Sequence, residues 1–96
     1  MQQYFIMAWD GTDEEAGPRR LSVRPAHFEN ARKLKDQGQF IFGGAILDHL
    51  DQMTGSVMVM QFESDDLLQD WLRTEPYIAG GVWQKIEVHP FRVANV

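Results

Sequence analysis

Three histidines, fourteen carboxylates and no cysteine define the chemistry open to this chain of 96 residues. Without a thiol there is no disulfide, no thiolate-held zinc or iron–sulfur cluster and no cysteine nucleophile. Proton transfer between histidine and carboxylate is the chemistry that remains. His27 follows Arg24 and Pro25 at the start of a predicted helix, His49 falls in a turn and His89 in a strand. None of them shows His-x-His or His-x-x-x-His spacing, so no metal site is expected. A lone histidine on the inner side of a helix is either a hydrogen-bonded core residue or a group that takes and gives a proton near neutral pH.

Other residues have the types to serve such a histidine. Glu75 stands in the corner Thr74-Glu75-Pro76-Tyr77, where its carboxylate either stays in solvent or reaches the first helix. A carboxylate on the far nitrogen of an imidazole fixes its tautomer and favours its charged form. Tyr77 either packs in the core or orients a substrate with its hydroxyl. Arg24, one turn from His27, is either a solvated charge or the holder of an anionic substrate group. Phe42, Gly43 and Trp83 suit an aromatic pocket unless the core takes them up.

The elements that position these groups follow from pattern. Tyr4 to Trp9 reads as a first strand closed by Asp10-Gly11, and Asp10 to Pro18 as a mobile, solvated loop. Ser22-Val23-Arg24-Pro25 reads as the start of a helix that runs to Gln37 and stops at Gly38. At about 100° per residue, Val23, His27, Ala31 and Leu34 share the inward face, away from Glu29, Lys33 and Asp36. His27 then lies in the first turn, where the helix dipole disfavours a cation that Glu75 would favour. Phe40 to Leu47 is a second strand whose Gly43-Gly44 pair suggests a bulge or a close approach, by a ligand for example.

Gly55 to Phe62 is a third strand with little polar character on either face. Ser64 caps a second helix with Asp65 and Asp66 in its first turn and Leu67, Leu68, Trp71 and Leu72 as its buried stripe. Pro76 forbids its continuation, and Gly80-Gly81 ends the connection. In the last strand, Val82 to Phe91, Ile86 and Val88 face inward, and Pro90 suits only an edge. The order is that of an α+β, ferredoxin-like βαββαβ fold with an antiparallel sheet, its first and third strands central. Those two strands are apolar on both faces and the helices cover only one. The face left open calls for a homodimer, unless the loops and C-terminal tail cover it.

Three segments are more specific: Arg20-Leu21-Ser22-Val23-Arg24-Pro25-Ala26-His27, Glu75-Pro76-Tyr77-Ile78-Ala79-Gly80-Gly81-Val82 and Val88-His89-Pro90-Phe91. They resemble the YciI-like (YCII-related) family, and the similarity runs over nearly the whole chain. The resemblance implies a dimeric α+β barrel with a pocket on each subunit and a histidine–aspartate pair. The histidine maps onto His27. The acid of the family's Asp-Pro-Tyr segment maps onto Glu75, which is one methylene longer.

Composition narrows the rest. With 44% apolar residues the chain can fill one core, so residues 1–96 are read as a single domain. A formal net charge of −5 argues against nucleic acid, and the third strand lacks the basic and stacking residues of RNA-recognition sheets. Gly-x-Gly-x-x-Gly, a lysine-bearing phosphate loop and Gly-x-Ser-x-Gly are all absent. The N-terminal segment has no basic n-region, and its apolar run is too short for a signal peptide or a membrane span. The expectation is a cytoplasmic enzyme, free of cofactor and of membrane, that moves a proton on a small cyclic or aromatic organic acid in an elimination or isomerisation. That substrate class is an analogy with related dimeric barrels, which include lactone isomerases and ring-modifying enzymes. The alternative is a non-catalytic dimeric module that binds a metabolite or a partner protein.

Overall fold

Alternation along the first strand sets the two faces of the sheet in this computed structural model, which describes all 96 residues. In β1 (Gln2–Asp10), Tyr4, Ile6 and Ala8 are buried, while Phe5, Met7 and Trp9 are half-buried on the other face. Strand β3 (Met53–Phe62) runs antiparallel to β1, with Met60 opposite Tyr4, Met58 opposite Ile6 and Ser56 opposite Ala8. With β2 (Phe40–Leu47) and β4 (Trp83–Phe91) on the edges, the sheet order is β2-β3-β1-β4. This is the expected α+β, ferredoxin-like arrangement, and Pro90 lies in an edge strand.

The helices α1 (Ala16–Asp36), α2 (Asp65–Thr74) and the one-turn α3 (Pro76–Ala79) supply the other layer. Leu68, Trp71 and Tyr77 meet Ile6, Met58, Met60 and Phe62 in the core. Each such side chain, fully buried, contributes about 1.5–3 kcal/mol. Ser64 caps α2 as its side chain accepts from the Leu67 N–H, and Gly38, at φ 76°, ends α1 in the left-handed conformation that glycine adopts without strain. No helix is long and apolar enough to cross a membrane.

Helix α1 begins earlier than its sequence suggests. Pro18, in the first turn, is the proline that the unbonded N–H positions of a helix start accommodate, and Pro25 lies inside the helix. The exposed Leu21, whose carbonyl loses its partner to Pro25, lies on the solvent side. Two ion pairs hold the extra turns. Arg19 grips Asp13 with two hydrogen bonds of 2.7 and 3.2 Å, and Arg20 grips Asp10. The loop expected from Asp10 to Pro18 therefore shrinks to residues 11–15 and is tied to the helix. His27 sits mid-helix and not in the first turn, so the dipole does not oppose its charge.

Two smaller differences concern single side chains. Ile86 is exposed because it lies on edge strand β4 opposite Ala8, too short a neighbour to cover it, whereas Val88 packs on the core. Leu67 is also exposed, leaving Leu68 and Trp71 as the buried residues of α2. On the sheet face away from the helices, Phe5, Met7, Trp9 and Val57 remain half-buried and Phe42 is 55% exposed. The tail is held at the end of this face, where Gln3 Oε1 accepts the Val93 N–H at 2.7 Å.

Candidate functional site

Glu75 owes its position to the junction of α2 and α3. Pro76 opens α3, and the Glu75 side chain caps it by accepting the Tyr77 N–H at 3.1 Å. The same oxygen, Oε1, is hydrogen-bonded to Nδ1 of His27. A carboxylate that is only 1% exposed is tolerable because both bonds replace its lost water. They also assign the imidazole: Nδ1 carries the proton donated to Glu75, and in the neutral ring Nε2 keeps its lone pair. The ring is clamped as well. Tyr77 stacks on it at 3.9 Å and 10°, and Trp83 meets it edge-on at 5.8 Å.

A second polar cluster lies beyond Tyr77. Arg20 Nη1 donates to both carboxylate oxygens of Asp10 at 2.9 and 3.0 Å, and Nη2 donates to Ser56 Oγ at 2.9 Å. The Trp83 indole N–H also donates to Ser56 Oγ, at 3.1 Å. Both members of the ion pair are buried. The Arg20 guanidinium lies 4.8 Å from the centre of the Tyr77 ring, so one ring separates the two clusters.

Between α1 and the β2–β3 edge opens a cavity of about 360 Å³. His27 and Ser56 line it, together with four cations, Arg20, Arg24, Arg32 and Lys35, and no carboxylate faces it. A chain of net charge −5 thus presents a cationic hollow, whose field favours negative over positive charge. Gly43 forms part of its wall. A Cβ at Gly43 would stand 2.6 Å from the Val57 carbonyl oxygen, so only glycine permits this approach of the strands. Arg24 leans on the Phe28 ring, 4.6 Å from its centre, and both residues border the same space.

The residues singled out in the sequence divide into three groups. His27, Arg24 and Gly43 line the cavity. Glu75, Tyr77 and Trp83 stand behind His27, fully buried, and hold its ring without bordering the cavity. The Tyr77 hydroxyl has no hydrogen-bond partner, and burial pushes its pKa up against the opposing pull of Arg20 and Arg24. Phe42 is on the wrong face for a pocket residue. A bulge between Phe40 and Phe42 inserts Ile41 into the ladder, so Phe40 pairs with Met60 on the helix side and Phe42 with Val59 on the open side. The cavity is therefore bordered by Phe40.

Sequence reasoning passed over Arg20, Arg32, Lys35 and Ser56. Arg20, Arg24, His27, Ala31 and Lys35 follow one another at spacings of three and four, a stripe that is visible once the helix starts at Ala16. Ser56 shares its face of β3 with Met58 and Met60, which period two alone would have given.

The YCII-related domain matches residues 3–92. Protein YciI of Escherichia coli is 37% identical over 95 residues, covering 93% of this chain and 95% of its own. Among solved structures, the 5-chloro-2-hydroxyhydroquinone dehydrochlorinase of Burkholderia phenoliruptrix, in complex with 2,5-dihydroxybenzoquinone, superposes with a TM-score of 0.82 at 22% identity, over 96% of this chain and 95% of that one. An antibiotic biosynthesis monooxygenase superposes with a TM-score of 0.56 at 14% identity, over 99% of this chain and 100% of that one. At these identities the two structures establish the shared fold.

Proposed function

The chain belongs to the YCII-related domain family, and on that premise we propose that it is a small-molecule enzyme, independent of any cofactor, in which His27 is the general base and Glu75 its orienting partner. The observation that carries this reading is the His27–Glu75 bond: it occupies Nδ1 and leaves Nε2 for a cavity lined by four cations. Support for the substrate class comes from the dehydrochlorinase, which shares the fold and acts on a chlorinated hydroxyhydroquinone. The substrate is a small hydroxylated ring or lactone that is anionic at neutral pH, with Arg24 and its cationic neighbours holding the charge.

In this scheme Nε2 of His27 removes a proton from the ring or from its hydroxyl. The electron pair left behind either expels an anion such as chloride, for a net loss of acid, or moves within the ring before the proton returns. The imidazolium formed in the first half of the cycle is stabilised by the Glu75 carboxylate, and it gives up its proton in the second. A second copy of the chain covers the apolar sheet face that carries Phe5, Met7, Val57 and Phe42, and the enzyme works in the cytoplasm. An 11.1 kDa species in light scattering at micromolar concentration removes the dimer from this account.

The test is turnover of a panel of chlorinated hydroxyhydroquinones and lactones, read by chloride release and ring absorbance. His27→Asn is expected to lose about 10²- to 10⁴-fold in rate. Equal rates in the two proteins end the case for a His27 base. Tight binding of these anions with no turnover in the wild type identifies a binding module instead.

A further inference from the structure

The hydroxyl of Ser56 has its bonding almost fully assigned. Its oxygen accepts from Arg20 Nη2 at 2.9 Å and from Trp83 Nε1 at 3.1 Å. Guanidinium and indole groups donate and cannot accept. Both lone pairs of Oγ are thus in use, and neither partner can take the hydroxyl proton. These are the only two hydrogen bonds the Ser56 side chain makes within the chain. Ser56 is 3% exposed, and the space it borders is the cavity shared with His27.

We infer that Ser56 is a substrate-binding residue whose hydroxyl donates to an ionised oxygen of the bound ring, a phenolate or an enolate. The donor is prepared in advance. Arg20 is a permanent cation held by Asp10, and its bond to Oγ polarises the hydroxyl toward donation. Asp10 balances the charge, so the donor is built without an isolated ion in the core. Charge that moves onto a ring oxygen as His27 takes a proton meets this fixed donor, with Arg20 beside it in the cavity wall. The inference rests on the ring-acid reading above and sharpens it. The substrate must carry an ionisable oxygen toward the sheet while presenting its reacting proton toward α1.

The probe is 2,5-dihydroxybenzoquinone, whose ring hydroxyls ionise at neutral pH, titrated calorimetrically into wild type, Ser56→Ala and Ser56→Thr. Loss of a hydrogen bond to an ionised oxygen is expected to weaken the alanine variant by about 10- to 100-fold. The threonine variant, which keeps the hydroxyl, is expected to bind close to the wild-type level. Wild-type affinity in Ser56→Ala overturns the inference and leaves the His27 reading standing. Failure of the wild type to bind the probe overturns both. Ser56→Ala also removes the acceptor of two buried donors, and it need not fold. In that event a crystal structure of the wild-type complex decides: a ring oxygen about 2.5–3.0 Å from Ser56 Oγ upholds the inference, and a probe seated elsewhere overturns it.

Discussion

Arg20–Asp10 and His27–Glu75 are both buried pairs of a base with a carboxylate, set on either side of the Tyr77 ring. The guanidinium cannot lose its proton, and both of its terminal nitrogens are bound to fixed partners. An imidazole can take up and give back a proton, and only one of the two ring nitrogens of His27 is bound. Burial and charge type are shared, so neither explains a division of labour. What distinguishes the pairs is whether the base can change its charge and whether one of its atoms stays available to a ligand. By that measure Arg20–Asp10 holds the site in shape and His27–Glu75 is equipped to act in it.

Breaking the two pairs in parallel tests this division most strongly. Asp10→Ala strands a permanent cation in the core, for which the expected cost is about 3–5 kcal/mol in urea unfolding. Glu75→Gln keeps the shape of its side chain and an amide oxygen that can still accept from His27 Nδ1, so the expected cost is about 1 kcal/mol. Turnover is expected to fall in this variant because the imidazolium loses its counter-charge. Equal destabilisation by the two substitutions would remove the distinction, since His27 would then be a fixed charge like Arg20.

Tyr77 sharpens the comparison because both pairs use its ring and neither uses its hydroxyl. Tyr77→Phe keeps the stacking surface and removes a buried polar atom without a partner, with an expected gain of about 1 kcal/mol. Burial raises the Tyr77 pKa above its ordinary 10.0, so the folded state favours the protonated hydroxyl. That contribution is fully present below pH 10 and is lost as the pH rises through the folded value. The phenylalanine variant is expected to show a flatter alkaline limb when unfolding is followed from pH 9 upward, with Tyr4, also raised by burial, accounting for what slope remains. A large loss of turnover in Tyr77→Phe would instead give the hydroxyl a place in the reaction.

The sequence made legible what local pattern controls. The order of elements, the Ser64 cap, the Gly38 stop and the placement of His27 on an inward face all follow from period and capping, and all appear in the fold. His27 and Glu75, 48 residues apart, came together through a family resemblance that spacing alone does not supply. Arg20 escaped because Pro25 reads as the start of α1, and the buried Arg20–Asp10 pair that ties the earlier turns to the end of β1 is a contact that local pattern does not show. Phe42 was misplaced because a bulge is a property of strand pairing, and it reverses the face that alternation assigns. Ser56 looked like one more small residue in an apolar strand. Its importance arises only when Arg20 and Trp83 arrive from other elements.

Arg19 and Arg20 are neighbours on α1 and each binds an aspartate of the preceding loop or strand end, yet only the second pair is buried. The Arg19 hydrogen bonds lower the Asp13 pKa below its ordinary 3.8 and raise that of Arg19 in return. For a carboxyl with a depressed folded value, the contribution to stability is present above the unfolded value and disappears as the pH falls through the folded one. Its acid limb therefore lies below pH 3.8. Because the pair is open to water and salt, its effect is expected to be the smallest of those considered and to shrink further at high ionic strength. Arg19→Gln is expected to raise the Asp13 midpoint in a carboxyl NMR titration while leaving the unfolding midpoint at pH 7 nearly unchanged. A loss approaching that of Asp10→Ala would mean that the tether between loop and helix, more than burial, is what gives these arginines their weight.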